Sequence, residues 1–354
     1  MAMLFTFNDA HHHHAPPTIL IRGNPIPNHE QPVRLERLKA ELLRGEHELL
    51  QSQPYPRKWI AAVHDVGYLS FLETAHSRWT AFLDSQATKG GNVTDDLIHA
   101  HVFSHHASRE KPSSIQGQVG YYLSGGSSPV AAGTWEASLG SVDTALSAAD
   151  LILSGDTRHA YALCRPPGHH AYADMAGGFC YLNNAAVAAN YLANKLGRVA
   201  IIDVDAHHGN GTQSIFYERD DVHFVSVHGD PNVLFPFYAG YAHERGQGAG
   251  LGHNLNIPLP LGTEDEAFLE AVRQGMQSVS LYGPEALIVS LGFDAYKGDP
   301  AAGLEVSTEG FEAVGRLIGG FAGPVLLIQE GGYVVEKLAD NLEAFLKGFL
   351  GQRQ

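Results

Sequence analysis

Two aspartates and a histidine occupy positions in this chain that a metal ion could use. In Asp203-Val-Asp205-Ala-His207-His208-Gly-Asn210-Gly, Asp205 and His207 are two residues apart, so in an extended segment both point the same way. Asp294, closing Ser290-Leu-Gly-Phe-Asp294, can supply a third ligand. Two carboxylates and one imidazole suit zinc, with positions left open for water and substrate, although iron or cobalt fits the same donors. Such an ion makes a water nucleophile available at neutral pH. His169 and His170 follow Arg165-Pro-Pro-Gly and can line the same pocket. One of them can act as general base and then as the acid that protonates a leaving amine. Tyr333 follows Gly331-Gly332, and its hydroxyl can donate a hydrogen bond to an oxyanion. Asp, Asn and Gly also serve turns and caps. Capping accounts for any one cluster, but not for a His-His pair, an Asp-x-Asp-x-His-His run and a lone Asp together.

The elements that must carry these residues are legible downstream of Trp135. Helical spacing covers Trp135 to Leu153, Asn183 to Lys195, Asp265 to Tyr282, Gly310 to Phe321 and Lys337 to Phe349. Apolar runs at Tyr161 to Cys164, Val199 to Asp203, Val222 to His228, Ala286 to Gly292 and Pro324 to Gln329 read as buried strands. Continuous apolar strands alternating with helices indicate an α/β fold with a parallel sheet covered on both faces. Ligands of such sheets bind beyond the carboxyl ends of the strands, and the polar clusters fall just after those five strands. The least regular stretch is Asp84 to Gln118, with Gly90-Gly91, His99, His101, His105, His106 and Pro112. It reads as a long insertion with short elements, and such loops are often functional or used in assembly. The run His11 to His14 reads as a polar loop, with no metal role expected of it.

With 44% hydrophobic and 17% charged residues, the 354-residue chain can bury a large core as a single domain, 1–354. A net charge of -15 disfavours nucleic acid and suits a small cationic partner or a basic peptide. The two cysteines, Cys164 and Cys180, fit a reducing compartment. No apolar run is long enough to span a membrane, and no secretory signal opens the chain, so a cytoplasmic location is expected.

The blocks quoted above, together with Gly177-Gly-Phe179-Cys-Tyr-Leu-Asn-Asn184, Glu330-Gly-Gly-Tyr333 and Val63-His-Asp-Val-Gly-Tyr-Leu-Ser-Phe-Leu72, resemble the signature blocks of the histone deacetylase superfamily, in order over most of the chain. The resemblance implies an arginase/deacetylase fold with a central sheet of eight parallel strands. It implies zinc on Asp205, His207 and Asp294, His170 as general base and acid, His169 as its electrostatic neighbour, and Tyr333 as the oxyanion donor. Asp203 matches the carboxylate that contacts the first histidine. It also matches part of a structural potassium site with Asp205, His207, Ser226 and Val227, several through backbone carbonyls. A second cation site would lie near Phe216, Arg219 and Val222. Asn210 stands where some members have Asp, and Phe179 and Phe235 match the aromatic walls of a narrow channel that passes an alkyl chain.

Within the superfamily, Gly117-Gln-Val-Gly-Tyr-Tyr122 and Gly133-Thr-Trp-Glu-Ala137 resemble the bacterial acetylpolyamine amidohydrolases. The resemblance implies a homodimer, with the stretch at about 84–118 contributing to the interface and to the active-site mouth. That branch can carry an acidic residue at the mouth for the distal ammonium of a polyamine. The corresponding position here is Gln116, and a neutral amide lacks the charge-assisted contact. The expected activity is therefore deacetylation of an acetylated primary amine, an acetylpolyamine or similar small amide, with acetyl-lysine in a peptide as the alternative. A ureohydrolase would need a second metal and more bridging carboxylates than Asp203 and Asn210 offer. A non-catalytic binder of acetylated ligands would be expected to have lost a ligand, the histidine pair or the tyrosine, and all are present.

Overall fold

Four- to eight-residue apolar runs become strands here, and the longer amphipathic runs become the helices that cover them. The structure, a computed structural model, describes residues 2–87, 97–104 and 110–352. The strands are β1 (Leu4–Phe7), β2 (Thr18–Ile21), β3 (Asn24–Pro27), β4 (Glu48–Gln51), β5 (His159–Ala162), β6 (Val199–Asp203), β7 (Val222–Gly229), β8 (Asn254–Leu259), β9 (Ala286–Leu291) and β10 (Val325–Gln329). The helices are α1 (Pro32–Arg44), α2 (Lys58–Ala61), α3 (Val66–Ala87), α4 (Ile115–Tyr122), α5 (Thr134–Leu153), α6 (Asn184–Leu196), α7 (Asn210–Phe216), α8 (Asp265–Tyr282), α9 (Thr308–Gly319) and α10 (Val335–Gly351). Eight strands form one parallel sheet in the order β4-β1-β5-β10-β9-β6-β7-β8, and β2 and β3 form a separate antiparallel hairpin.

Alternate strand residues feed two cores. Ile201, Phe224, Ile288 and Ile328 pack with α3 to α6 on one face. Ile202, Val225, Val289 and Leu327 pack with α1, α8, α9 and α10 on the other. Each fully buried aliphatic side chain contributes about 1.5–3 kcal/mol, so a chain of this composition holds the central strands rigidly. On α6, capped by the Asn183 side chain on Ala186 N, small side chains at Ala185, Ala186, Ala188 and Ala189 let the helix lie close against the sheet.

The arginase/deacetylase α/β architecture is therefore present. The elements that the sequence left unread include β1 to β4 and β8, and helices α1, α2, α3 and α7. β1 and β4 have four residues each, too few for a period to register. β8 is an edge strand interrupted by Pro258, which an edge tolerates because one side needs no ladder donor. Helix α3 runs on to Ala87, so the first four residues of the stretch expected to be irregular, from Asp84, are helical. Within 84–118, residues 88–96 and 105–109, including His105 and His106, lie outside the described residues. Among the described residues, no helix is long and apolar enough to cross a membrane.

Candidate active site

The five strands that end in polar clusters are neighbours in the sheet, β5-β10-β9-β6-β7, so their ends share one edge. Register places Asp203 opposite Ser290 on one side and Ser226 on the other. Beyond Asp203 the chain does not stay extended, contrary to the reading from spacing. Asp203 Oδ1 accepts from Asp205 N at 3.1 Å, and Asp205 Oδ1 accepts from His207 N at 2.9 Å. These two side-chain-to-backbone turns curl the segment, and the curl aims Asp205 and His207 into one pocket. Asp294, from the end of β9, accepts from Ala206 N through Oδ1 at 2.8 Å. Gly331, after β10, donates from N to Asp205 Oδ2 at 2.8 Å. A Cβ on Gly331 would lie 2.3 Å from Asp294 Oδ2, so only glycine lets that backbone approach.

The donor atoms of Asp205, His207 and Asp294 all lie within 4.8 Å of one another, and all three residues are buried. His207 Nδ1 is 3.2 Å from Asp205 Oδ1 and 3.0 Å from Asp294 Oδ2. Its Nε2 is 2.8 Å from the Ala301 carbonyl, which can only accept, so the lone pair of the neutral ring is at Nδ1, facing the carboxylates. Burial and the neighbouring Asp205 charge push the Asp294 carboxyl up. Burial and Asp294 likewise push Asp299 up to about 7. Crowded buried carboxylates with an imidazole lone pair between them are what a divalent cation relieves, so the donor set fits one.

The histidine pair stands beside this cluster. His169 Nδ1 is 2.9 Å from Asp203 Oδ2, and His170 Nδ1 is 2.6 Å from Asn210 Oδ1. The ring centroids are 4.0 Å apart. Glu330 Oε2 accepts from Gly168 N and His169 N at 2.7 and 3.2 Å, and Oε1 accepts from Ser290 Oγ at 3.1 Å, which pins the turn that carries both rings. Burial opposes charge on His169, but the Asp203 and Asp205 carboxylates outweigh it and raise the imidazole to about 10. His170 goes the other way, well below its ordinary value, through burial and the positive charge beside it on His169. Two adjacent imidazoles are thus split into a cation and a neutral base, the pattern by which sites divide electrostatic and proton-transfer work. Asn210 fixes the His170 tautomer through an amide oxygen and adds no charge. Asn210→Asp adds a negative charge that favours the imidazolium, so its folded-state pKa rises. If activity needs neutral His170, the acidic limb of the pH–rate profile moves to higher pH, which a rate profile of the two proteins checks.

Aromatic side chains wall the cluster. Phe235 meets the His170 ring at 4.8 Å and 90°. Phe179 lies 5.5 Å from the Tyr333 ring and is held at φ 67° with its N donating to Ser128 Oγ at 3.0 Å. Tyr333 N donates to Asp299 Oδ2 at 2.8 Å, and burial keeps the phenol protonated, well above its ordinary value. Gln116 is exposed in the first turn of α4, and among the described residues it makes no hydrogen bond or ion pair to this cluster. Ser226 Oγ is 2.8 Å from His228 Nδ1, and Ser226 and Val227 are fully buried beside Asp203. At the corner expected for a second cation, Arg219 brings a guanidinium 5.0 Å over the Phe216 ring and pairs with Asp221 at 2.7 Å.

Sequence reasoning missed the ionic frame underneath. Glu30 Oε1 accepts from Arg34 Nη1 and from Arg165 Nε, both at 2.8 Å, with all three side chains buried. Arg34 also donates to the carbonyls of Glu330 and Gly332 and lies 4.7 Å over the Tyr333 ring. Arg165 donates to the carbonyls of His11 and His14. One carboxylate therefore ties the histidine turn to the tyrosine turn. The i, i+4 spacing of Glu30 and Arg34 at a helix start was the available signal. Glu30→Ala leaves two buried guanidinium groups short of their counter-charge and is expected to cost about 3–5 kcal/mol, read as a lower denaturation midpoint.

A profile described as a histone deacetylase domain matches residues 28–349. The chain is 42% identical over 350 residues, 98% of each chain, to the acetylpolyamine amidohydrolase of Burkholderia pseudomallei. It is 40% identical to that of Mycoplana ramosa, covering 99% of this chain and 100% of the other. A crystal structure of the acetylpolyamine aminohydrolase from Burkholderia pseudomallei superposes with a TM-score of 0.92 at 41% identity over 98% of both chains.

Proposed function

The chain belongs to the histone deacetylase family, and from that footing we propose that it is a zinc-dependent amidohydrolase that cleaves an acetylpolyamine to acetate and the free amine. The observation that carries the reading is the convergence of Asp205, His207 and Asp294 beside a histidine pair of split basicity. Zinc held by those three residues supplies Lewis acidity toward the amide carbonyl and the attacking water. The chain's own groups do the rest. Phe179 and Phe235 pass the acyl-bearing alkyl chain and exclude bulk water. Tyr333 donates its phenolic hydrogen to the oxygen that becomes negative. His170, neutral and oriented by Asn210, takes the proton of the attacking water through Nε2 and returns it to the departing nitrogen, so that an amine leaves and acetate forms. His169, kept cationic by Asp203, contributes positive charge close to the reacting centre.

Asp203, Ser226 and Val227, with backbone carbonyls of Asp205 and His207, are the proposed potassium site, and the buried Asp203 carboxylate supports it. The proposed assembly is a homodimer using part of 84–118, within a single 1–354 deacetylase domain. Identity of 40–42% over whole chains to acetylpolyamine amidohydrolases supports the small cationic substrate. The test is a turnover panel of acetylputrescine, acetylcadaverine, acetylspermine and acetyl-lysine peptides on zinc-loaded protein. Turnover confined to the peptides would overturn the polyamine reading. Tyr333→Phe is expected to lower kcat about 10²–10³-fold, as the loss of one oxyanion donor does, with metal content unchanged. Full turnover by that variant would remove Tyr333 from the mechanism.

A further inference from the structure

The run His11 to His14 does not behave as a loose polar loop. It forms a 3-10 turn over Asp9–His13, capped by the Asn8 side chain on Ala10 N. In such a turn successive side chains diverge by about 120°. His11 and His12 nevertheless converge, with ring centroids 3.9 Å apart. Their Nε2 atoms lie 3.0 and 3.1 Å from the same oxygen, Oε1 of Glu36 on α1. We propose that His11, His12 and Glu36 form a second binding site for a divalent transition-metal ion, distinct from the Asp205, His207 and Asp294 cluster.

Three observations support this site. First, the donor set is two imidazoles and one carboxylate, a combination that suits zinc and its neighbours in the first transition row. Second, a tetrahedral ion with bonds of about 2.0–2.1 Å holds its nitrogen and oxygen ligands roughly 3.3 Å apart. The contacts above are within a few tenths of an ångström of that, so the ligands need little rearrangement. Third, access is open on one side. The His11 ring is buried, while the side chains of His12 and Glu36 are 51% and 41% exposed, which leaves room for water to complete the coordination.

Two features weigh against tight binding. Lys39 Nζ, which lies 3.8 Å from Asp9 Oδ1, adds a positive charge nearby. Ligation through Nε2 also puts the His11 proton on Nδ1, which is buried and has no partner. The site is therefore expected to be weaker than the catalytic one and to fill when free metal is raised. Its occupancy has a structural consequence. The carbonyls of His11 and His14 receive Arg165, the residue that precedes Pro-Pro-Gly and the histidine pair. An ion that fixes this turn thus stabilises the N-terminal support of the catalytic histidines.

The experiment counts metal on untagged holoprotein whose first site is already filled. Raising free Zn²⁺ is expected to add a second equivalent and to raise the thermal midpoint. Co²⁺ in its place is expected to give the visible absorption of a tetrahedral ion. His12→Ala, at an exposed position, and Glu36→Gln are each expected to lose the second equivalent and the rise in midpoint while keeping the first. Asp294→Ala is expected to do the reverse, losing the first equivalent and keeping the second. Holoprotein that stops at one equivalent, or variants at His12 and Glu36 that still take two, would overturn the proposal. An Asp294→Ala protein that keeps both would instead overturn the catalytic ligand set.

Discussion

Asp294→Ala is expected to abolish turnover and to leave the chain without its catalytic divalent ion after dialysis. On the proposed ligand set this carboxylate is one of three donors, and the two that remain, Asp205 and His207, come from one curled segment and form a poor chelate. Oδ2 faces His207 Nδ1 at 3.0 Å, while Oδ1 accepts from Ala206 N at 2.8 Å. Alanine removes both contacts, so some disorder of the loop after β6 could mimic the loss of a ligand. Asp294→Asn separates the two effects, because its amide oxygen can still accept from Ala206 while its charge is gone. Both variants are expected to fall to background rate with metal content near zero, measured by elemental analysis. The fold should persist, since removing Asp294 also relieves its repulsion with Asp205 and Asp299. Full metal occupancy in the asparagine variant would show that the ion is held by other residues.

The second large effect is expected at His170. General acid–base transfer by a positioned side chain contributes about 10²–10⁴-fold, and His170→Ala should lose that factor in kcat while retaining metal. The sign of the pH dependence follows from the direction of the imidazole's shift. Its folded-state pKa is depressed by burial and by the His169 cation beside it. The neutral, proton-accepting form therefore persists to lower pH than it would for a free histidine, and activity is lost only as pH falls below that value. In His170→Ala this acidic limb should disappear from the residual rate. A variant that kept both rate and limb would transfer the role to His169. That residue is a poorer candidate, because its Nδ1 faces the Asp203 carboxylate and the ring is raised to about 10.

Much of this was legible in the sequence, for identifiable reasons. Buried parallel strands such as Val199–Asp203 leave an uninterrupted apolar run, so the polar residue that ends each one stands out. That contrast exposed Asp203, Asp294 and Tyr333 at once. Short or half-buried pieces carry no such contrast, which is why β1, β4 and β8 escaped notice. The curl after Asp203 was also hidden, because it depends on which oxygen of Asp203 and Asp205 meets which backbone N–H. The reach of Glu30 to Arg165 was invisible for a different reason, although its i, i+4 spacing to Arg34 was in view. Glu30 lies 135 residues from Arg165, and a long-range ion pair leaves no local pattern. The same holds for Glu36, whose meeting with His11 and His12 requires α1 to pack against the N-terminal turn. Gln116 shows the opposite case, since its proposed place at the mouth came from resemblance alone and no contact to the cluster accompanies it.

The position of the five site-bearing strands within the sheet has its own consequence. β5, β10, β9, β6 and β7 are all flanked on both sides, and the margins are left to β4 and to β8. Unzipping of a sheet begins at its borders, where each strand has a single neighbour to lose. Partial opening of this molecule therefore sheds its outer strands first, and the pocket stays assembled until the central ladder gives way. Heat or denaturant should accordingly silence the protein late, in one step with the collapse of its interior.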